Sequence, residues 1–177
     1  MTISLAIDTS TSRTIVGLLD GEDILFESFA EGATDHGRAV SDLVAEALFN
    51  NPAPEKVVVG MGPGPFTGLR VGIAFARTFA LSRGIPVIGV CSLDAIDAGK
   101  SDYTVAIDAR RKEIYWARYE AGKRVEGPAV NKPDEVSDYI IDLYPNVLFL
   151  VKLAQVQNEL EPFYLRRPDA VPTAERK

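Results

Sequence analysis

The sequence predicts an α/β protein built from two related halves, and three observations carry that prediction. Short apolar runs that end in turn residues alternate with segments whose apolar residues fall at helical spacing. Leu5-Ala6-Ile7-Asp8 recurs as Val105-Ala106-Ile107-Asp108, so that Ala-Ile-Asp returns at an offset of 100. After each copy the elements follow one order: a polar stretch, a strand, a glycine turn (Gly21; Gly122), a third strand, then a helix and a strand. Duplication of a βββαβ unit explains all three. Two half-domains, residues 1–100 and 101–177, would then face each other across a cleft, with Asp8 and Asp108 at corresponding strand ends.

In the first half, Ile3–Asp8 reads as a buried strand running into Thr9-Ser10-Thr11-Ser12. Residues 13–19 and 24–29 flank the turn at Asp20-Gly21-Glu22-Asp23 as two more strands of a meander. Residues 37–49 carry Val40, Leu43, Val44, Ala47 and Leu48 on one helical face, and residues 50–54 break that helix. A short strand at 57–61 enters the loop Gly62-Pro63-Gly64-Pro65-Phe66-Thr67-Gly68, which opens a helix over about 69–82. A strand at 85–90 and a short helix at 92–98 complete this half. In the second half, strands precede Asp108 and fill 113–120, and a third follows Gly122. Val136, Tyr139, Ile140 and Leu143 predict a helix over 134–144, and the apolar run 147–151 predicts a strand. Pro162, Pro168 and Pro172 keep the tail from forming one regular element; 162–168 is expected to dock and the last residues to fray.

Composition narrows the chemistry. The 177 residues can bury a core without staples. One cysteine (Cys91) rules out an intramolecular disulfide or a Cys-based zinc site, and one histidine (His36) rules out HExxH and paired-His metal sites. With 25 acidic and 19 basic side chains, net charge −6, the chain is not expected to hold nucleic acid on its own. The N-terminus lacks the pattern of a signal peptide and no apolar run is long enough to span a bilayer, so a cytoplasmic protein without membrane contact is expected.

Four features could carry function. The glycine loop before a helix suits either a phosphate cradle or tight packing; it is neither a Walker loop nor GxGxxG, and the packing role is favoured. The helix that follows is apolar almost all round. Leu69, Gly72, Ile73, Ala76, Phe79 and Ala80 form one face, Val71, Ala74, Phe75 and Leu81 extend round the other side with Thr78, and Arg70 and Arg77 mark a narrow charged strip. A second apolar face needs cover from the same chain or from a partner. Asp8, Thr9 and Ser10 with Asp108 could form a nucleotide and Mg²⁺ site, but the second copy lacks a small-residue loop and no Gly-Gly segment follows to seat adenine. Cys91 and His36 form a nucleophile pair only on paper. Trp116 reads as core rather than a stacking platform, and Arg166-Arg167 as solvated or acid-paired.

Gly62-Pro63-Gly64-Pro65-Phe66-Thr67-Gly68-Leu69-Arg70, running into Val71-Gly72, resembles the signature of the TsaB (YeaZ) family. So do Ala6-Ile7-Asp8-Thr9-Ser10, Ile107-Asp108-Ala109-Arg110-Arg111 leading to Tyr115, and Tyr164-Leu165-Arg166-Arg167-Pro168. The resemblance implies the duplicated RNase H-like fold of the actin, sugar-kinase and Hsp70 ATPase superfamily, here with an abbreviated second half, since family members are commonly longer. It implies a non-catalytic scaffold or activating subunit for N6-threonylcarbamoyladenosine at position 37 of tRNAs that read ANN codons. The implied partners are a TsaD-type transferase, a TsaE-type ATPase through the complex and tRNA only indirectly; whether the isolated chain is a monomer or pairs with a second copy as a homodimer is left open. No cofactor is implied for this chain alone, with ATP or ADP only at an interface of the complex. The paired histidines of a TsaD-type subunit are absent, which separates this sequence from that homologue. By resemblance the partner face comprises Val40, Leu43, Val44 and Ala47 from the first helix and Phe66, Arg70, Val71, Ala74, Phe75 and Thr78 from the second; no catalytic or metal residue is implied. The alternative is an ATP-dependent small-molecule kinase or ATPase of the same superfamily, with Asp8, Thr9, Ser10 and Asp108 at its nucleotide.

Overall fold

The computed structural model describes residues 2–32 and 35–166. Ile3–Asp8 (β1) is buried along its whole length, as its mostly apolar run predicts. The chain returns as Arg13–Asp20 (β2) and again as Asp23–Glu31 (β3), an antiparallel meander in which Asp8 lies opposite Ile15. His36–Leu48 (α1) crosses over so that Lys56–Gly60 (β4) pairs parallel to β1, and Phe66–Arg83 (α2) carries the chain to Val87–Val90 (β5). The sheet order is β3-β2-β1-β4-β5.

A second sheet repeats the first four positions of that order. Tyr103–Asp108 (β6), Ile114–Glu120 (β7) and Lys123–Asn131 (β8) form the meander, and Tyr139–Ile140 (β9) pairs parallel to β6, giving β8-β7-β6-β9. Both Ala-Ile-Asp copies end the first strand of a meander. The chain is a mixed α/β protein with the RNase H-like arrangement, complete in its first sheet and reduced in its second.

Two elements of the second half differ from expectation. Residues 134–144 are not a helix. A single 3-10 turn, Pro133–Glu135, precedes the two-residue β9, and Asp138 and Asp142 adopt left-handed backbone (φ 54° and 65°) that no helix accommodates. The open edge of β6 takes Tyr139 and Ile140 in register with Thr104 and Val105, while Val136 packs into the cluster of Trp116, Ala106 and Ile114. The run expected as a strand is the helix Val147–Leu153 (α3). Asn146 caps it, its side-chain oxygen accepting from the amides of Leu148 (2.9 Å) and Phe149 (3.2 Å).

Packing explains why α3 is a helix. α1 and α2 cover one face of the first sheet through Val40, Leu43, Val44, Leu69, Ile73 and Ala76. The other face presents Ala6, Ile15, Leu19 and Val58, and α3 covers it with Val147, Leu150 and Val151 at spacings of three and four. Side chains of that size contribute about 1.5–3 kcal/mol each when buried. Gly17 on β2 makes room, since a Cβ there would lie 2.7 Å from the Cβ of Val147. Asp94, after β5, ties the two sheets together. It accepts hydrogen bonds from Tyr119 (2.7 Å) and Gln157 (2.6 Å) and pairs with Arg124 (3.2 Å).

Candidate functional site

The glycine loop and the strand end at Asp8 form one closed unit. Asp8 is fully buried. Its Oδ1 accepts from the amide (2.8 Å) and hydroxyl (2.6 Å) of Ser10, and its Oδ2 accepts from the hydroxyl of Ser92 (2.6 Å). Ser92 also receives the amide of Gly62 (3.0 Å) and donates its own amide to the Gly62 carbonyl (2.8 Å), fastening the loop over the carboxylate. Burial raises the Asp8 pKa above the ordinary carboxylate value, and the hydrogen bonds from Ser10 and Ser92 oppose that rise.

The glycines are where they are because segment 8–10 lies against them. A Cβ on Gly60 would overlap Asp8 Oδ2 and lie 2.5 Å from Ser92 Oγ. One on Gly64 would strike the Ser10 carbonyl, one on Gly68 would lie 2.8 Å from the Thr9 carbonyl, and one on Gly72 would meet the Thr9 hydroxyl. Thr9 in turn donates to the Gly68 carbonyl (2.8 Å). The loop thus seats α2 on the end of β1, which is the packing reading of its glycines. Asp8, Thr9 and Ser10 are buried, with side chains committed inside the chain, so they offer no face to a phosphate or Mg²⁺. Asp108 lies elsewhere. It is exposed, its carboxylate receives the Arg110 amide (2.9 Å), and it lines a cleft of about 240 Å³ between the sheets with Thr11, Ser12, Pro65 and Tyr144. Asp8 does not line that cleft. The two strand-end carboxylates correspond in topology but do not converge on a ligand. Ser92, the second partner of Asp8, escaped sequence reading because nothing in the local pattern shows which residue 84 positions away will meet it.

His36, the first residue of α1, is buried beside this unit, its Nδ1 2.7 Å from the Thr14 hydroxyl. Cys91 belongs to a different network, its Sγ accepting from Arg124 (2.9 Å) while burial pushes its thiol up to about 12. The two therefore form no nucleophile pair. Trp116 is core, with its indole N–H on Asn131 (2.9 Å). Arg166 is acid-paired with Glu113 and also bonds the Ala109 carbonyl (3.0 Å), while Arg167 and the rest of the tail lie outside the described residues.

Burial lowers the His36 pKa below 6.5. As pH falls below 6.5, the unfolded chain takes up the proton first, so stability declines until the folded-state pKa is reached. Asp8 acts in the opposite sense, because its raised folded-state pKa favours the protonated fold in acid. Because the two groups act in opposite senses, the comparison with His36→Gln carries the test: in thermal melts between pH 7 and pH 5 the variant should lose less Tm, or gain more, than the wild type. An unchanged slope in the variant would mean that His36 is not the titrating group.

The residues proposed for a partner face divide by helix. Val40, Leu43, Val44 and Ala47 are all buried against the chain's own first sheet, which corrects their assignment to a partner. An amphipathic helix has one apolar stripe, and here the sheet takes it. On α2 the buried side is Leu69, Gly72, Ile73, Ala76 and Ala80. Phe66, Arg70, Ala74 and Thr78 are exposed, and Val71 and Phe75 are half-buried. Leu81, at 83% exposure, continues the open strip, and Phe75 stacks on Phe79 at 5.9 Å. α2 begins at Phe66 rather than near Leu69, so Phe66 and Thr67 form its first turn.

Comparison with known proteins places this architecture. Residues 33–170 match the family model described as TsaD, tRNA N6-adenosine threonylcarbamoyltransferase. An uncharacterized Mycobacterium leprae protein is 40% identical, over 97% of this chain and 57% of its own length. That alignment runs to 204 positions, more than the 177 residues present here, so the relative carries extra residues inside the shared span. The Escherichia coli tRNA threonylcarbamoyladenosine biosynthesis protein TsaB is 33% identical over 76% of this chain and 64% of its own length. The chain thus spans less than two thirds of these relatives. A solved Pseudomonas aeruginosa structure, described as similar to the peptidase YeaZ, superposes with a TM-score of 0.76 at 25% identity, covering 94% of this chain and all of that one. With the family model matched over residues 33–170 and 33% identity to a TsaB relative over 76% of its length, this chain belongs to the TsaD-type threonylcarbamoyltransferase family, on its TsaB (YeaZ) branch.

Proposed function

We propose that this chain is a non-catalytic scaffold subunit of a tRNA threonylcarbamoylation system and docks a TsaD-type transferase through the open face of α2. Family membership supplies the system. The observation that carries the role is the α2 strip of Arg70, Ala74, Thr78 and Leu81, left open on a helix whose other side is fully engaged. Small and apolar residues set beside two arginines, Arg70 and Arg77, suit a helix contact with a partner. The closed carboxylate at Asp8 supports a helper role over the kinase alternative, since its oxygens already accept from Ser10 and Ser92. The same strip serves a second copy of this chain where the transferase is absent, and a TsaE-type ATPase would join through the assembled pair. ATP or ADP would be held only at an interface of that complex, and the system would work in the cytoplasm.

The direct test is reconstitution of the modification on an unmodified tRNA transcript, using the transferase subunit, a source of threonylcarbamoyl-adenylate and the ATPase, with and without this chain. The expected result is modified adenosine in the complete mixture and a loss of at least tenfold when this chain is omitted. Equal product without it would overturn the helper assignment. Micromolar Mg-ATP binding by the isolated chain, lost in Asp8→Ala, would restore the kinase reading.

A further inference from the structure

From residue 157 to 166 the chain forms neither helix nor strand, yet it is fastened to one element after another. The Gln157 side chain accepts from the Cys91 amide (3.0 Å) and donates to Asp94 (2.6 Å). The Glu159 amide donates to the Gly89 carbonyl of β5 (2.8 Å). Glycine is needed there, since a Cβ on Gly89 would overlap the Glu159 carbonyl. The Phe163 amide donates to the Met61 carbonyl (2.9 Å), and its ring packs against both the core beneath α2 and the core of the second sheet.

Two further contacts fall on α2 itself. Arg77 donates to the Leu160 carbonyl (2.9 Å), and the Tyr164 ring lies 5.0 Å from the ring of Phe66 in the first turn. Phe66 in turn carries the Arg70 guanidinium 5.1 Å from its centroid, so the segment reaches the open strip of α2 through one ring. Arg166 then grips the second half. It pairs with Glu113 and donates to the carbonyls of Ala109 (3.0 Å) and Arg110 (3.3 Å), in the turn between β6 and β7. That turn is strained: Arg110, Arg111 and Lys112 all have left-handed backbone (φ 63°, 55° and 61°), which residues with a Cβ adopt at a cost. The bonds that close the turn, those of Arg166 among them, hold it in that form.

We infer that residues 157–166 are a strap that couples the docking face of α2 to the second half, so that the transferase binds best while the strap is seated. The inference rests on the proposed docking role and adds a conformational control to it. Seated, the strap orients Phe66 one turn before Arg70 and holds Arg77 beside Ala74. Released, it would leave both side chains free, and a partner would have to order them on binding. Side-chain contacts and isolated main-chain bonds hold the strap, not a ladder, which suits a segment that opens locally before the fold does. Linkage makes the coupling reciprocal: a bound transferase seats the strap more firmly.

The test measures amide hydrogen exchange in the full chain, alone and with the transferase subunit, alongside the affinity for that subunit. Arg166→Ala should speed exchange at residues 109–113 and 163–165 about tenfold or more, the effect of one lost charge-assisted contact on a local opening, with β1 and α1 unchanged. Transferase affinity should fall about fivefold, at the low end of ordinary coupling between sites. Glu113→Ala, on the second-half side of the clamp and away from α2, should do the same. The two changes together should be no worse than either alone. Transferase binding to the wild type should slow exchange at 163–165 by a comparable factor. Wild-type affinity in Arg166→Ala, with the turn shown to be loosened, overturns the inference. Additive losses in the double variant overturn it too, since they mark two separate contacts, and so does unchanged exchange in Arg166→Ala. Failure of the wild-type chain to bind the transferase is a distinct result. It would overturn the functional reading and this inference together.

Discussion

Ala74→Glu should abolish stable association of this chain with the transferase subunit while leaving its own fold intact. Ala74 is exposed near the middle of α2, one turn from Arg70 and one from Thr78. Glutamate is a good helix former and the side chain faces outward, so the cost to folding should stay within about 0.5 kcal/mol. At a packed interface the same carboxylate must be desolvated, which costs on the order of 3–5 kcal/mol and weakens binding by roughly a hundred- to several-thousandfold. Pull-down against the transferase reads the association, and a thermal melt reads the fold. Val44→Asp is the informative contrast: Val44 is 3% exposed beneath α1, so that variant should lose the fold and its binding together. Phe75→Asp is the poorer probe, because Phe75 also packs on the core. Wild-type capture by Ala74→Glu, confirmed as folded, would remove α2 from the interface.

Gly60→Ala should be among the most damaging single-methyl changes in the chain. The added Cβ would overlap the buried Asp8 carboxylate and press on Ser92 Oγ at 2.5 Å, and both lie inside the closed unit that holds the loop. Moving the carboxylate aside breaks its bonds from Ser10 and Ser92. Disruption of such a buried charged network costs on the order of 3–5 kcal/mol. For a chain of this size that corresponds to a Tm loss of about 6–20 °C. Asp8→Ala alone should cost less, since it strands the serine donors without forcing a clash. The double variant should then be more stable than the sum of the two single effects predicts, because the second change vacates the space that the first one needs. Strict additivity would show that Asp8 is not what Gly60 accommodates.

The expected strands of the first sheet and both of its helices were readable from local pattern, because each carries its own periodicity and its own punctuation. β1 announces itself by a mostly apolar run ending in Asp8, α1 by residues 40, 43, 44 and 47, and α2 by the glycine loop before it. The duplication was readable from Ala-Ile-Asp followed by one order of elements, and the strand orders of the two sheets repeat it. Residues 134–153 were not readable in this way. Val147 to Leu153 is apolar enough to be strand or helix, and only the uncovered face of the first sheet made the helix the better burial. Residues 134–144 have helical spacing, yet the open edge of β6 supplied backbone partners, and two aspartates took up left-handed turns instead.

The site divides along the same line. Residue types and spacing alone establish the α/β class, the glycine loop, the doubly apolar α2 and the single histidine that rules out paired-His metal chemistry, since composition and periodicity are properties of the chain itself. Three-dimensional packing decides which apolar face is spent on the sheet. It takes Val40, Leu43, Val44 and Ala47 into the core and leaves Ala74, Thr78 and Leu81 outside. It also brings Ser92 to Asp8 across 84 positions and keeps Asp108 out on the cleft. Side-chain periodicity shows that a helix has an apolar stripe, whereas what that stripe meets depends on packing between residues far apart in the chain.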